Sequence, residues 1–174
     1  GSLVGQIARI KGARAVGIAG GPAKCRVVQD ELGFDACVDY KSGNLQADLK
    51  AACAKGIDVN FENVGGEIFD TILPMMNMFS RVIVCGLISG YNATTPYAMK
   101  NIRSVLVNRI RMQGMIVFDW IQRYPEARNE LAGMVRQGRI KTRESVADGI
   151  ESAPQAFIGL LKGRNFGKQL VKLA

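Results

Sequence analysis

Apolar residues follow two patterns that alternate along the chain. Over residues 3–11 they recur at the spacing of one helix face, and Gly12, a common residue just after a helix, follows. Over residues 15–19 they form a short run that is apolar on both faces, as in a buried parallel strand. Pro22 can occupy the first turn of the next helix, which we predict to end at Gly33.

The same alternation continues to the end of the chain. Asn44 is a suitable N-cap for a helix through residue 52. Further strands are predicted over residues 36–38, 57–61, 81–85 and 110–117, and further helices over residues 68–76, 98–107 and 125–137. An extended stretch, a helix and a final strand are predicted over residues 140–146, 152–162 and 167–173.

Strands that are apolar on both faces and alternate with helices predict an α/β fold with a parallel sheet covered on both sides. Right-handed crossovers make such a sheet doubly wound, or Rossmann-like. A domain of this kind begins with a strand, a glycine-rich turn and a helix, whereas this chain begins with Gly1 and Gly5, where the turn enters the helix. We therefore expect a doubly wound sheet that lacks its first strand, although this glycine pair alone also fits a plain N-terminal helix.

Composition restricts the chemistry that this chain can perform. Its 174 residues include no histidine and four cysteines without a Cys-x-x-Cys pair. Serine–histidine and cysteine–histidine catalysis are therefore excluded within the chain, and we expect no metal site. We expect reduced thiols in a cytoplasmic protein. No apolar run approaches the roughly 18 residues of a membrane span, so we expect no membrane partner.

The net charge of +8 permits an anionic cofactor, a nucleic acid or a membrane surface as partner. The basic residues are scattered, and their densest cluster, over residues 136–143, has no interleaved aromatic residues. We therefore expect no nucleic acid partner and favour an anionic cofactor.

The segment after the first predicted strand indicates which dinucleotide could bind. An NAD-specific site has an acidic residue here that holds the ribose hydroxyls, but no acid occurs over residues 13–29. Gly20 and Gly21 leave space instead, and Lys24 and Arg26 supply positive charge near a helix N-terminus. This favours NADP, with Lys24 on the 2′-phosphate. The alternative is that both cations belong to a solvated helix face.

Polar residues also follow the next two buried strands. Ligands bind beyond the carboxyl ends of strands in open parallel sheets, which places Asn63, Ser89 and Tyr91 near the cofactor. Asn63 can hydrogen-bond the cofactor or serve as an ordinary turn residue. The Tyr91 phenol can donate a proton to an enolate or pack as a loop aromatic.

Several short motifs in combination resemble the medium-chain dehydrogenase/reductase superfamily. They are Gly1-Ser-Leu-Val-Gly-Gln-Ile-Ala, Ile18-Ala-Gly-Gly-Pro-Ala-Lys-Cys, Leu32-Gly-Phe-Asp, Asp39-Tyr-Lys, Glu62-Asn-Val-Gly-Gly, Cys85-Gly-Leu-Ile-Ser-Gly-Tyr-Asn and Asn165-Phe-Gly-Lys. Within that superfamily the chain is similar to the zinc-independent branch of prostaglandin, curcumin and plant double-bond reductases. The resemblance covers essentially the whole chain. It implies the cofactor NADP(H), a small α,β-unsaturated ketone or aldehyde as substrate, and reduction of its C=C bond.

The resemblance also implies roles for individual residues. Tyr91 is implied as the catalytic proton donor or a substrate-orienting residue. Gly1 is implied at the pyrophosphate, Lys24 at the 2′-phosphate, and Tyr40 near the adenosine. Contacts in the nicotinamide half or elsewhere on the cofactor are implied for Asn63, Cys85, Gly86, Ser89, Met115, Ile116, Val117 and Asn165.

Family members carry a further N-terminal catalytic domain that supplies most of the substrate pocket. We therefore expect residues 1–139 to be an N-terminally truncated dinucleotide-binding domain, and residues 140–174 to return toward that catalytic domain. The family implies a homodimer for the intact protein, and we expect the chain to be inactive alone. The alternative function is a non-catalytic dinucleotide-binding module or an RNA-binding module similar to quinone reductases.

Overall fold

The computed structural model describes residues 1–173; residue 174, which ends the predicted C-terminal segment, lies outside the described residues. The strands are β1 (Val16–Ala19), β2 (Ala36–Asp39), β3 (Ile57–Glu62), β4 (Met76–Val84), β5 (Arg111–Gly114), β6 (Glu144–Asp148) and β7 (Lys168–Lys172). The α-helices are α1 (Ser2–Ile10), α2 (Pro22–Arg26), α3 (Leu45–Ala52), α4 (Gly66–Ile72), α5 (Arg103–Val107), α6 (Tyr124–Arg136) and α7 (Ala153–Leu161). A π-helical segment, Val27–Glu31, continues α2.

Every strand pair in the described residues is parallel. β1 pairs with β2, while β3, β4 and β5 form a three-stranded sheet in that order. β6 pairs with β7 in a separate sheet. Helices connect the paired strands, as parallel neighbours require. The predicted α/β fold with parallel strands is therefore confirmed.

One hydrophobic core joins the β1–β2 pair to the three-stranded sheet. Its buried residues are Val38, Leu49, Phe69, Ile72, Leu73, Met76, Val82 and Ile110. The β1–β2 pair and the three-stranded sheet share this core, but β1 and β3 are not hydrogen-bonded to each other within residues 1–173. The break in the pairing order falls where a doubly wound sheet has its first strand, which agrees with the expected Rossmann-like sheet without that strand.

The boundary between α4 and β4 differs from the prediction. α4 ends at Ile72, and a 3-10 turn replaces the predicted helix up to residue 76, because Pro74 has no N–H group for a helical hydrogen bond. β4 then begins at Met76 rather than at residue 81. Its pairing with β3 shifts register near Phe79, whose φ is 61°. This bulge interrupts the apolar alternation, so the sequence pattern did not show that the strand starts before residue 81.

The start of α5 differs from the prediction, whereas α3 starts where it was predicted to. α5 begins at Arg103 rather than at residue 98, because the N–H groups of Lys100 and Asn101 donate to the buried carboxylate of Asp70 instead. Asn44 occupies the N-cap position of α3 as predicted, but its side chain makes no capping hydrogen bond. Long-range contacts therefore decide the first boundary, which local propensity could not show.

The predicted strand over residues 110–117 is too long, since β5 ends at Gly114. The Met115 N–H still donates to the carbonyl oxygen of Val84 at 2.9 Å. After Val84, the last residue of β4, the chain turns away from β5 and toward β3. The N–H group of Cys85 there donates to the carbonyl oxygen of Glu62 at 2.8 Å. β5 therefore loses its partner and continues as a 3-10 segment.

The C-terminal residues form a small unit of β6, α7 and β7. Its strand β6 begins later than the predicted extended stretch over residues 140–146. The unit is attached to α1 by the buried Gln6, whose amide donates to the Lys141 carbonyl at 3.0 Å and accepts from the Lys141 N–H at 2.8 Å. Apolar side chains of this unit, including Val146 and Phe157, are more than half exposed at 56% and 60%. They form an apolar surface that the described residues do not cover.

The cysteines are all free thiols in the described part of the chain. Burial and a hydrogen bond with Cys25 raise the pKa of Cys37 to about 12, so that this thiol stays protonated at neutral pH. Among residues 1–173, no helix combines the length and apolar character that spanning a membrane requires.

α1 packs closely on the segment before β2. A Cβ atom on Gly5 would overlap the ring of Phe34, so that only glycine permits this approach of helix and strand.

We predict that Gly5→Ala lowers the free energy of unfolding by about 1–3 kcal/mol, because the added methyl group overpacks the contact with Phe34. Gly133→Ala in α6 is the matched control, since nothing lies within 4 Å of a Cβ added there. It should raise the stability by about 0.5–1 kcal/mol through helix propensity. Urea unfolding of the wild type and both variants measures this difference, and equal effects of the two substitutions would contradict the close packing.

Candidate dinucleotide-binding site

The start of α1 lies at the carboxyl ends of the parallel strands. Gly1, the N-cap residue of α1, neighbours Cys85, which follows β4. Ser2 in α1 and Ala19, the last residue of β1, line one pocket of about 220 Å³. The first turn of α1, whose N–H groups have no partner within the helix, therefore faces the strand ends, where it can bind a phosphate.

Gly20 and Tyr40 bring the loops after β1 and β2 into contact. A Cβ atom on Gly20 would lie 2.9 Å from the Tyr40 hydroxyl, so glycine is needed for the ring to rest on this loop. Lys41 Nζ lies 5.8 Å from the centroid of the same ring. A phenol and an ammonium group are thus placed beside the end of β1, where a doubly wound domain binds the adenosine ribose.

Lys24 faces the same region and is already hydrogen-bonded. Its Nζ donates to the carbonyl oxygen of Gly163 at 2.5 Å and lies 5.6 Å from the centroid of the Phe166 ring. Burial lowers the pKa of Lys24, and the charge of Lys41 lowers it further. Two ammonium groups therefore repel each other near the end of β1, and an anion bound between them would relieve that repulsion.

The loop between α7 and β7 forms one wall of the pocket. The guanidinium group of Arg143 lies 5.1 Å from the centroid of the Phe166 ring and forms an ion pair with Glu31. Asn165, a predicted cofactor contact, donates from Nδ2 to the carbonyl oxygen of Gly167 at 2.7 Å. Its amide N–H group thus stabilises this loop.

Glu62, the last residue of β3, organises the loop that follows the strand. Oε1 accepts hydrogen bonds from the N–H groups of Val64 and Gly65 at 2.7 and 2.8 Å, and Oε2 accepts one from Asn60 Nδ2 at 2.9 Å. The residue is only 3% exposed. Because a buried carboxylate is costly without such partners, these bonds favour a single conformation of the loop.

Backbone hydrogen bonds join this loop to the loop after β4. The carbonyl oxygen of Glu62 accepts from the N–H groups of Cys85 and Gly86 at 2.8 and 3.1 Å. Gly86 lies against Asn63, whose Oδ1 would be 3.2 Å from a Cβ atom added to the glycine. The Ser89 hydroxyl lies over the glycine turn that precedes α4. Hydrogen-bonding groups from both loops are therefore held together.

The remaining predicted residues lie at the exposed margin of this group. Tyr91 follows the loop and is 68% exposed. Ile116 and Val117 are 61% and 50% exposed, beyond the last hydrogen bond of Met115 to β4. The described residues thus leave this side of the crevice open.

The predicted site residues therefore fall into two spatial groups. Lys24 and Tyr40 lie at the ends of β1 and β2, close to the Asn165 loop. The other group consists of Gly1, Asn63, Cys85, Gly86 and Ser89. The first group is cationic, and the second offers neutral hydrogen-bonding groups. This pair of environments fits a dinucleotide with a phosphorylated adenosine at one end and an amide-bearing ring at the other.

Two carboxylates that organise the site, Asp39 and Glu62, were not among the residues predicted from the sequence. Each ends a strand and accepts a hydrogen bond from the N–H group two residues later. An acid at the start of a turn is a known signal for this contact, so it was visible in the sequence. Lys41 and Phe166 were missed for another reason, because their importance depends on contacts between loops that are distant along the chain.

We predict that Glu62→Ala lowers the free energy of unfolding by about 2–4 kcal/mol, because it leaves buried N–H groups of the loop without an acceptor. Glu67→Ala, at an exposed position in the first turn of α4, is the matched control and should change stability by less than about 1 kcal/mol. Thermal unfolding of both variants measures the difference. A loss as small for Glu62 as for Glu67 would show that its hydrogen bonds do not stabilise the loop.

Comparisons with known proteins agree with this geometry. The family model described as zinc-binding dehydrogenase matches residues 1–133. In residues 1–173, however, no three His, Cys, Asp or Glu side chains come together in a group that could hold a metal ion.

Similar proteins include two reductases and one solved structure. The NADPH-dependent curcumin reductase of Escherichia coli (strain K12) is 46% identical over 100% of the chain and 52% of its own length. The 2-alkenal reductase (NADP(+)-dependent) of Nicotiana tabacum is 41% identical over 100% and 51%. The structure of CurA from Vibrio vulnificus in complex with NADPH has a TM-score of 0.94 at 46% identity, covering 100% of this chain and 53% of that one.

The chain spans about half the length of the curated relatives that it matches. The family match and these likenesses confirm the resemblance drawn from the sequence motifs. The chain belongs to the zinc-binding dehydrogenase family, within the medium-chain dehydrogenase/reductase superfamily, and is similar to its curcumin, alkenal and prostaglandin reductases.

Proposed function

We propose that this chain is the NADPH-binding part of a cytoplasmic oxidoreductase. The intact enzyme reduces the C=C bond of small α,β-unsaturated ketones or aldehydes. The observation that carries this proposal is the cationic group at the ends of β1 and β2. There Lys41 Nζ lies 5.8 Å from the centroid of the Tyr40 ring, its charge lowers the pKa of Lys24, and no acid occurs over residues 13–29.

The type of cofactor follows from electrostatics. A carboxylate at the end of β1 would accept hydrogen bonds from the ribose hydroxyls and repel a 2′-phosphate. Here two cations can pair with the phosphate, and the half-buried position of Lys24 strengthens that attraction relative to bulk water. The likeness to an NADPH-dependent curcumin reductase, and to CurA in complex with NADPH, supports the same choice.

The residues of the site would divide the work as follows. Lys24 and Tyr40 hold the phosphorylated ribose, and the first turn of α1 faces the pyrophosphate. Asn63 and Ser89, held by the loops after β3 and β4, orient the nicotinamide half. When bound, the nicotinamide supplies a hydride to the β-carbon of the substrate. Tyr91 is the candidate donor of the proton that the α-carbon requires.

We propose that the whole enzyme also contains a catalytic domain. This domain covers the open margin near Tyr91 and completes the substrate pocket. The catalytic domain also covers the apolar surface of the C-terminal unit. We treat this unit, residues 140–174, as separate from the dinucleotide-binding domain of residues 1–139. Two copies of the protein form a homodimer through the dinucleotide-binding domain. The outer edge of β5, which has no strand partner among residues 1–173, offers a pairing surface for it. The chain alone is inactive.

We predict that Lys24→Ala in the full-length protein raises the KM for NADPH by about tenfold or more and leaves the KM for NADH nearly unchanged, since only NADPH carries the 2′-phosphate. Lys50→Ala, at an exposed position in the last turn of α3, is the control and should have little effect on either constant. Steady-state rates with a simple enone, followed at the absorbance of the reduced cofactor, give both values. A wild type that uses the two cofactors equally well would refute the proposed NADPH site.

We predict that Tyr91→Phe lowers kcat by about 10²-fold at saturating enone while the KM for NADPH stays the same, because the variant loses only the proton donor. Tyr124→Phe in α6 is the matched control and should leave kcat unchanged. An unchanged kcat in Tyr91→Phe would mean that another group or water donates the proton.

A further inference from the structure

Asp39 connects the loops that follow β1 and β2. It is the last residue of β2, and its Oδ1 accepts two hydrogen bonds, from the N–H group of Gly21 at 2.7 Å and from that of Lys41 at 2.9 Å. The first bond crosses from one loop to the other, and the second turns the chain after β2. One carboxylate oxygen therefore fixes both loops relative to each other.

These two loops carry the cationic group described above. Lys41 extends from the loop that Asp39 turns, and the Tyr40 ring between them rests on Gly20. Lys24 lies in α2, two residues after Pro22, and the loop after β1 that contains Gly21 leads into this helix. The groups that could meet a 2′-phosphate, Lys24, Tyr40 and Lys41, therefore belong to two segments that the Asp39 oxygen joins.

From this arrangement we infer that Asp39 is a positioning residue that sets the preference for NADPH over NADH. It acts by holding the loops of Gly21 and Lys41 so that Lys24, Tyr40 and Lys41 converge on the 2′-phosphate. This inference rests on the proposed function and adds a specificity-determining residue to it. No contact between Asp39 and the cofactor is required.

The position of the Asp39 oxygen favours binding of the 2′-phosphate, whereas the negative charge of Asp39 disfavours it. A carboxylate near a phosphate disfavours binding of the phosphate, and the two N–H donors only partly offset this repulsion. Substitutions can separate the two effects. Asp39→Asn keeps an acceptor oxygen at the same place and removes the charge, whereas Asp39→Glu keeps the charge and displaces the oxygen by one methylene group.

Asp35 supplies a matched control at the opposite end of the same strand pair. Its Oδ2 accepts a hydrogen bond from the N–H group of Ala15 at 2.8 Å, just before β1, and its Oδ1 pairs with Arg9 at 3.0 Å. Like Asp39, it joins the β1 segment to the β2 segment through a backbone N–H group. It lies at the other end of the strands, so Asp35→Glu tests whether any disturbance of this strand pair alters cofactor choice.

The experiment measures KM for NADPH and for NADH, together with kcat and the thermal unfolding midpoint, in the full-length wild type, Asp39→Glu, Asp39→Asn and Asp35→Glu. We expect Asp39→Glu to raise the KM for NADPH by about fivefold or more, with the KM for NADH and kcat within about twofold of wild type. Asp39→Asn should lower the KM for NADPH, because it removes the repelling charge, or leave it within about twofold of wild type. Asp35→Glu should keep the ratio of the two KM values within about twofold of wild type.

Each other outcome overturns the inference in a distinct way. An unchanged ratio in Asp39→Glu would show that the position of the oxygen does not matter. A loss in Asp39→Asn as large as that in Asp39→Glu would assign the effect to charge. An equal loss in Asp35→Glu would make it a general property of the strand pair. A wild type without preference for NADPH would instead refute the proposed function, which the variants alone cannot do.

Discussion

The site depends on how backbone N–H groups are satisfied at the carboxyl ends of parallel strands. Each strand there gives way to a loop, and its N–H groups lose their partners in the sheet. Two strands end in an acid that supplies the acceptor: Asp39 binds the N–H groups of Gly21 and Lys41, and Glu62 binds those of Val64 and Gly65. Loops held in this way can present side chains to a ligand in a fixed arrangement.

The two loop systems differ in charge although they are built alike. Around Asp39, the ammonium groups of Lys24 and Lys41 leave positive charge beside Tyr40. Around Glu62, the partners are neutral N–H groups and amides, and the adjoining residues Asn63 and Ser89 are uncharged. The same structural device thus creates an environment for a phosphate and another for a polar neutral ring. The proposed orientation of the cofactor follows from this difference.

Much of the fold could be predicted from the sequence because it depends on local patterns. Each predicted strand and helix is present, because apolar periodicity marks most of the faces that pack against neighbouring elements, although β5 is exposed along its length. The predicted boundaries were wrong where distant residues compete for backbone groups, as Asp70 does for the N–H groups of Lys100 and Asn101. Of the candidate site, the positions at strand ends could be placed in advance, since in parallel sheets these ends meet at one edge.

The sequence by itself determined the α/β class, the family resemblance and the absence of an acid after β1, because these are properties of residue type and order. Only the tertiary structure decided that Lys24 is hydrogen-bonded to the carbonyl oxygen of Gly163 and that the Tyr40 ring packs on Gly20. It also decided that Asp39 joins two loops. The physical reason is that such contacts link segments far apart in the chain. Their geometry is fixed by packing of the whole core, which no local pattern encodes.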